Sequence, residues 1–165
     1  MQRRLLLSQT ALLALTACGF QLRSAPTFAF DSIYITAAES SALGNELKRT
    51  LTSLGTVRVI TDAALLPRAQ AVLDILLEQR EKTVVGINAT GQVREFQIRL
   101  RVRFKLRTPQ GKDLIADTEI LQQRDISFNE SAVLAKETEE GLMYRDMQSD
   151  IVQQLMRRLA AVKTL

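Results

Sequence analysis

Residues 95–107, EFQIRLRVRFKLR, give the clearest secondary-structure signal in this chain. Apolar side chains alternate with polar ones along it without a break, at Phe96, Ile98, Leu100, Val102, Phe104 and Leu106. Successive side chains of a β-strand point to opposite faces of the sheet, so a sustained period of two predicts one long strand. Its apolar face should pack on a core, and its other face should meet something polar.

Two further strands should flank this one. Residues 72–87 are typical of a long strand, and residues 88–91 (NATG) of the turn that follows it. Residues 108–111 (TPQG) form the next predicted turn, and residues 114–128 the partner strand. The three segments together predict an antiparallel meander of unusually long strands.

Two amphipathic helices should cover the apolar face of the sheet. The first should begin at Ser40 or Ser41 as its N-cap and end at Gly55, where a C-cap favours glycine. Its apolar stripe comprises Leu43, Leu47, Leu51 and Leu54. The second should span residues 132–162, with a stripe of Met143, Met147, Ile151, Leu155 and Leu159 that Leu142 and Val152 widen.

Shorter extended segments are predicted at residues 20–22, 32–36 and 57–60, with a connector or short helical turn at residues 63–70. A sheet with one apolar face and two amphipathic helices has one economical packing. We therefore predict an α+β fold: a two-layer sandwich with an antiparallel or mixed sheet of about four long strands, covered on one face by both helices.

The start of the chain is typical of a targeting segment. Arg3 and Arg4 precede an apolar run at residues 5–15, which is too short for a bilayer that needs about 20 residues. Residues 15–18 (LTAC) resemble the lipobox of bacterial lipoproteins, which predicts a signal peptide at residues 1–17 and acyl chains on Cys18. The alternative is an ordinary secretory signal with a chance cysteine.

The surroundings of Cys18 favour lipidation over that alternative. It is the chain's one cysteine, whereas disulfides of secreted domains need cysteines in pairs. The next residue is Gly19, where an aspartate would resemble an inner-membrane retention signal, so we expect the cell outer membrane as the destination. Residues 18–165 should then form a single domain.

Composition removes several classes of function. The chain has no histidine and no thiol beyond Cys18, which excludes Ser-His-Asp and Cys-His catalysis and the usual zinc ligand sets. Paired carboxylates or a Ser-Lys pair remain as alternatives, but no motif indicates them, so we expect no enzymatic activity, no metal and no cofactor. Of 22 basic residues, Arg3 and Arg4 leave with the signal peptide, which sets 20 against 18 acidic residues. Such a balance does not suggest a nucleic-acid partner.

The polar face of the central strand carries a row of cations: Arg99, Arg101, Arg103, Lys105 and Arg107. One interpretation is a surface for an anionic ligand or an acidic partner. The other is a solvated face whose charges neighbouring strands balance at about 0.2–1 kcal/mol a pair. The predicted hairpins favour the second, because they bring acids close, namely Asp74 and Asp117 near Lys105, Glu78 near Arg101 and Glu119 near Arg103.

Arg99 and Arg107 have no obvious acidic partner in that register, so they remain candidate ligand-binding residues. Lys136 is a further candidate: it is a lone cation in an acidic stretch where the sheet leads into the last helix. By itself, such a residue is more often an ordinary exposed lysine, here one that balances Glu137 or Glu140. The methionines of the last helix are most simply core residues.

Four short motifs resemble the LptE (RlpB) family of lipopolysaccharide-assembly lipoproteins. They are Cys18-Gly19-Phe20-Gln21-Leu22-Arg23 at the lipidation site, Glu95-Phe96-Gln97, Ala135-Lys136-Glu137 and Tyr144-Arg145-Asp146-Met147. Their order and spacing extend over essentially the whole mature chain.

The resemblance implies a function that composition could not. Members of this family lie in the lumen of the outer-membrane β-barrel LptD, plug it, assist its assembly and bind lipopolysaccharide. Their basic ligand site involves the sheet end and the lysine that matches Lys136, which makes Lys136 the first candidate for a phosphate contact. The family has a basic residue in the central hairpin turn, whereas residues 88–91 offer none here, and the nearest cations are Arg94 and Lys82.

Two mechanisms stay open within this reading: a structural partner needed for folding of the barrel, and a binding module for lipid A phosphates. Outside the family, the alternative is a lipid-anchored pilot or accessory protein for another machine of the cell envelope.

Overall fold

The structure is a computed structural model that describes residues 26–165. The predicted signal peptide, the lipidation site at Cys18 and the extended segment at residues 20–22 lie outside the described residues.

Five strands and two long helices make up the described chain. In order they are β1 (Ser32–Thr36), α1 (Ala42–Leu54), β2 (Arg58–Ile60), β3 (Ala71–Ile87), β4 (Val93–Arg107), β5 (Asp113–Ser127) and α2 (Val133–Ala161). Short 3₁₀ helices at Ala63–Arg68 and Glu130–Ala132 precede β3 and α2. None of the helices within residues 26–165 has the length and apolar character needed to cross a membrane.

The strands form one mixed sheet in the order β2-β1-β3-β4-β5. β1 runs parallel to β2 and β3, while β3, β4 and β5 form the predicted antiparallel meander. Both helices pack on one face of the sheet, which confirms the α+β two-layer fold. The sheet has three long and two short strands where about four long ones were predicted, because the segments before β3 are brief.

β4 is the centre of the core, as its alternation predicts. Ile98, Leu100, Val102, Phe104 and Leu106 are fully buried under the helices, and Phe96 is half-buried at the end of the row. The turns at both ends are made by glycines in the left-handed region, Gly91 (φ 83°) and Gly111 (φ 96°), where other residues would be strained.

α1 begins and ends where the sequence predicts. The Ser41 hydroxyl accepts a hydrogen bond of 2.8 Å from the Gly44 N–H, so Ser41 is the N-cap. Gly55 closes the helix with φ 67°.

α2 buries most of its predicted stripe. The side chains packed on the sheet include Met147, Ile151, Val152, Leu155 and Leu159, and Met143 is half-buried beside them. The prediction for Leu142 is wrong, because 51% of that residue is exposed. Residues 142 and 143 are 100° apart on a helix, and only the second of them faces the sheet.

A β-bulge changes which side chains of β3 face the helices. Between Ile75 and Leu77 the register with β4 slips by one residue. Beyond this slip, Glu78 stands opposite Val102 and therefore lies on the helix face. The predicted proximity of Glu78 to Arg101 is wrong for this reason, since Gln79 takes that position.

Candidate functional site

The uncovered face of the sheet carries the predicted cationic row, and acids on neighbouring strands pair with most of it. Arg101 lies between two carboxylates, 3.8 Å from Glu81 and 3.4 Å from Glu119. Arg103 donates to Asp117. Glu119 is the backbone partner of Arg103, as predicted, although its carboxylate pairs with Arg101, and the carboxylate of Asp117 pairs with Arg103.

Arg107 has an acidic partner, which contradicts the expectation that it lacks one. Its Nε donates to the Asp74 carboxylate at 2.7 Å, and Lys105 is farther from the same carboxylate, at 4.0 Å. Arg99 differs from the other arginines of the row. It donates to the Gln97 side-chain oxygen at 2.8 Å and makes no ion pair within residues 26–165.

The Arg103–Asp117 pair shifts the pKa values of both of its groups. The hydrogen bond from Arg103 lowers the pKa of the Asp117 carboxyl below its ordinary value, and the same bond raises the pKa of Arg103. Both side chains are exposed, so the pair is typical of a balanced surface more than of a prepared anion site.

A cavity of about 240 Å³ lies on the other face, where the sheet ends and α2 begins. Its lining combines an apolar wall with lysines and glutamates: Lys82, Phe96, Ile126, Ser127, Phe128, Val133, Lys136, Glu137 and Glu140. These residues come from β3, β4, the end of β5 and the first turns of α2, so the fold alone brings them together.

Lys136 is half-buried in the lining of this cavity. Its ammonium donates to the Glu139 carboxylate at 2.8 Å and to the Ser127 hydroxyl at 3.1 Å. It makes no ion pair with Glu137 or Glu140 among the described contacts, although both line the same cavity. The ammonium is therefore positioned at the cavity with an exposed counter-ion beside it.

Lys82 supplies a second ammonium from the opposite wall. It lies 2.6 Å from the Glu140 carboxylate and 4.4 Å from the centre of the Phe96 ring. Phe96 in turn meets Phe128 edge to face, with ring centres 5.2 Å apart. The cavity thus presents two ammonium groups beside an aromatic wall, an arrangement suited to an amphiphile with an anionic head group.

The row of polar contacts that starts at Lys82 continues along the seam between β3 and α2. The Tyr144 hydroxyl donates to the Glu81 carbonyl oxygen at 2.7 Å, and Arg80 stacks on the Tyr144 ring at 5.1 Å. Burial raises the pKa of the Tyr144 phenol, with the nearby Glu140 charge as the next cause, so it remains a proton donor. These contacts join α2 to β3 next to the cavity.

The structure brings together only some of the predicted site residues. The backbone of Arg94 lies beside the cavity, because the N–H of Phe128, which lines it, donates to the Arg94 carbonyl oxygen at 2.8 Å. The exposed Arg94 side chain reaches Gln92 at 3.4 Å. Arg99 and Arg107 lie on the opposite face of β4, and Arg107 is at the far end of that strand.

Lys82 and the two phenylalanines are what sequence reasoning missed as site residues. The bulge at Leu76 turns Lys82 to the helix face, and no local pattern predicted it. In the described residues, no group of three or more His, Cys, Asp or Glu side chains is placed to hold a metal ion.

Comparison with solved structures finds the same fold in bacterial lipoproteins. An uncharacterized lipoprotein B from Nitrosomonas europaea is 32% identical, with 87% of this chain and 91% of that chain covered and a TM-score of 0.73. The rare lipoprotein B from Shewanella oneidensis is 21% identical over 79% of this chain and 94% of that chain, with a TM-score of 0.65, and shows the fold alone.

A comparison with curated protein sequences finds no significant match. The sequence profile of one family, described as LptE, lipopolysaccharide-assembly, matches residues 30–159. That match covers every strand and nearly all of both helices. The chain belongs to the LptE family.

Proposed function

We propose that this protein is a non-catalytic outer-membrane lipoprotein that binds lipopolysaccharide and plugs the β-barrel LptD while assisting its assembly. Membership of the family supports the assembly role. The proposed anchor is the acylated Cys18, and the domain faces the periplasm and the barrel lumen.

The cavity at the junction of the sheet and α2 carries the ligand part of this proposal. Lipid A is a phosphorylated amphiphile, so its site needs cations next to apolar surface. Lys136 and Lys82 are the cations, and the Phe96–Phe128 pair is the apolar wall. An ammonium binds phosphate as a flexible point charge, which suits a ligand whose head group varies.

Charge reversal at Lys136 tests the ligand site. Lys136→Asp replaces attraction by repulsion, so it should weaken lipopolysaccharide binding more than Lys136→Ala does. A lost charge-assisted contact is worth about 1.5–3 kcal/mol, which corresponds to roughly a tenfold to hundredfold higher Kd. The measurement is a titration of purified lipopolysaccharide at two salt concentrations, where high salt should reduce the difference between variants.

Lys112→Asp is the matched control, because Lys112 is exposed in the turn between β4 and β5, at the other end of the sheet. It should bind lipopolysaccharide as the wild type does. Arg94→Asp should show a smaller loss than Lys136→Asp if the site extends toward the central hairpin. Equal affinities for wild type and Lys136→Asp would remove Lys136 from the site and leave Arg99 and Arg107 as candidates.

The same variants separate the two parts of the proposal. Co-purification with LptD reports the plug role, and the titration reports ligand binding. A Lys136→Asp protein that assembles with LptD but does not bind lipopolysaccharide would show a binding module. A wild-type protein that assembles with LptD but binds no purified lipopolysaccharide would favour a mainly structural partner.

A further inference from the structure

β3 has a free edge along most of its length. β1 pairs with it over Ala71–Asp74, and from Ile75 to Ile87 it is paired with β4 on one side alone. No strand within residues 26–165 pairs with the other side of that segment. Every second residue of this thirteen-residue segment therefore presents its backbone N–H and C=O groups at an unpaired edge, the kind of surface that accepts another strand.

The space beside the start of this edge is open. A groove of about 620 Å³ lies between the first turn of α1 and residues 75–80 of β3. Leu76 lines it and is 44% exposed at the bulge. An added strand would lie about 4.8 Å from β3. It would continue the line of β1, which leaves the edge of β3 after Asp74 because the chain then leads into α1.

The far half of the edge lacks the usual protection against pairing. Residues 83–87 (TVVGI) carry no charge, and Val84, Val85 and Ile87 are 45%, 49% and 65% exposed. Natural proteins guard free edges with charged side chains. β5, at the other edge of the sheet, follows this rule with Asp113, Asp117, Glu119, Arg124 and Asp125.

We infer that the β3 edge from Leu76 to Ile87 accepts an extended segment of the barrel partner, which adds to the sheet as a sixth strand. This inference rests on the proposed function for the existence of that partner. The segment should be uncharged and rich in β-branched residues opposite residues 83–87, and polar opposite residues 78–82. Backbone hydrogen bonds supply affinity in this mode of binding, and the alternate side chains supply specificity.

A second copy of this chain fits the edge less well. Two copies paired antiparallel over the full segment would set the charged half of one, residues 78–82 (EQREK), against the apolar half of the other. Glu78 would then stand opposite Val85. A separate partner strand can match both halves at once, which is why the barrel protein is favoured.

Residue-resolved hydrogen exchange tests this inference, on the protein alone and in the complex co-purified with LptD. In a strand paired on one side, every second amide points to the free edge and exchanges quickly. In the complex, each amide between residues 77 and 87 that points to the free edge gains a hydrogen bond. Its exchange rate should therefore fall by about two- to tenfold or more. Amides that face β4 are protected already and should change little.

Lysine substitution provides a paired test. Val84→Lys places a charge beside the free edge, and Leu121→Lys places one at a similarly exposed position of β5, since the two residues are 45% and 43% exposed. Val84→Lys should reduce the amount of LptD that co-purifies, whereas Leu121→Lys should leave it unchanged. Thermal unfolding of both free variants identifies any loss that comes from misfolding.

Three results would overturn the inference, and they differ in what they leave standing. If the complex forms without new protection along β3, or if both lysine variants co-purify with equally reduced amounts of LptD, the β3 edge is not the binding surface. The proposed function is then unaffected. Protection that appears without LptD, together with a dimer, assigns the edge to self-association. Failure to isolate any complex removes the partner, and with it both the inference and the plug role.

Discussion

At the scale of single residues, Lys136 combines structural contacts with its proposed ligand-binding role. Its counter-ion Glu139 lies three positions along the same helix, and the two side chains are 22% and 48% exposed. Exposed pairs of this kind contribute about 0–1 kcal/mol. A phosphate could therefore replace Glu139 at little cost, while Ser127 continues to hold the ammonium at the cavity.

Removal of that counter-ion should strengthen ligand binding. In Glu139→Gln the ammonium of Lys136 keeps its position but loses its competitor, so lipopolysaccharide affinity should rise by up to about fivefold at low salt. Glu119→Gln, on the uncovered face of the sheet, is the control and should leave affinity unchanged. A titration in which Glu139→Gln binds no better than wild type would show that the pair with Lys136 does not compete with the ligand.

The Arg103–Asp117 pair should make stability depend on pH at the acid end. Because the pKa of Asp117 is lowered in the folded protein, the pair stabilises the fold above the ordinary carboxyl pKa of 3.8. That contribution is lost as the pH falls through the lowered value. Urea midpoints of wild type and Asp117→Asn should differ at pH 7 and converge at strongly acid pH. A difference that persists or grows in acid would contradict this.

At the scale of elements, sequence periodicity predicted the strands, but not the bulge in β3. The alternation in β4 fixed its buried face correctly, because each of its apolar positions meets the same core. In β3 the pattern changes phase at Leu76, and the three polar residues Glu78, Arg80 and Lys82 turn toward the helices. Their partners, such as Ser41 for Glu78, are distant in sequence, so no local pattern could reveal them.

The buried stripe of α2 should dominate the stability of the fold. Leu155 is fully buried under the sheet, so Leu155→Ala should lower the free energy of unfolding by about 2–5 kcal/mol. Leu142→Ala, at a 51% exposed position of the same helix, should change it by less than about 0.5 kcal/mol. Chemical denaturation of both variants checks this, and equal effects would mean that α2 packs on the sheet by a different face.

At the scale of the whole molecule, the candidate site depends on the fold more than on any segment. The family resemblance pointed to Lys136, but Lys82, Phe96 and Phe128 come from β3, β4 and the residue that follows β5. Sequence analysis predicted that these strands are neighbours. It did not predict the register that brings their ends together beside α2. Arg99 and Arg107 were grouped with Lys136 because all three carry a positive charge. In the structure, both arginines lie on the uncovered face of the sheet and Lys136 lies on the helix side.

The separation of anchor and domain gives a prediction for the whole protein. Within residues 26–165, the buried core begins at Phe30, and the residues that line the candidate cavity lie between Lys82 and Glu140. The proposed acyl chains on Cys18 should therefore decide location and contribute nothing to folding. Burial of acyl chains is worth about 0.8 kcal/mol per methylene, so their loss should release the protein from the membrane.

Cys18→Ala should consequently move the protein out of the outer-membrane fraction, either soluble or as the uncleaved precursor. Its purified domain should unfold at the wild-type midpoint and bind lipopolysaccharide with wild-type affinity, because the described core and cavity are built from residues between Phe28 and Val162. Ser24→Ala, six residues further along, is the control and should remain acylated and membrane-bound. Fractionation combined with intact mass reports both location and lipidation. Recovery of Cys18→Ala in the membrane, processed and still carrying acyl chains, would exclude Cys18 as the anchor, whatever the domain binds.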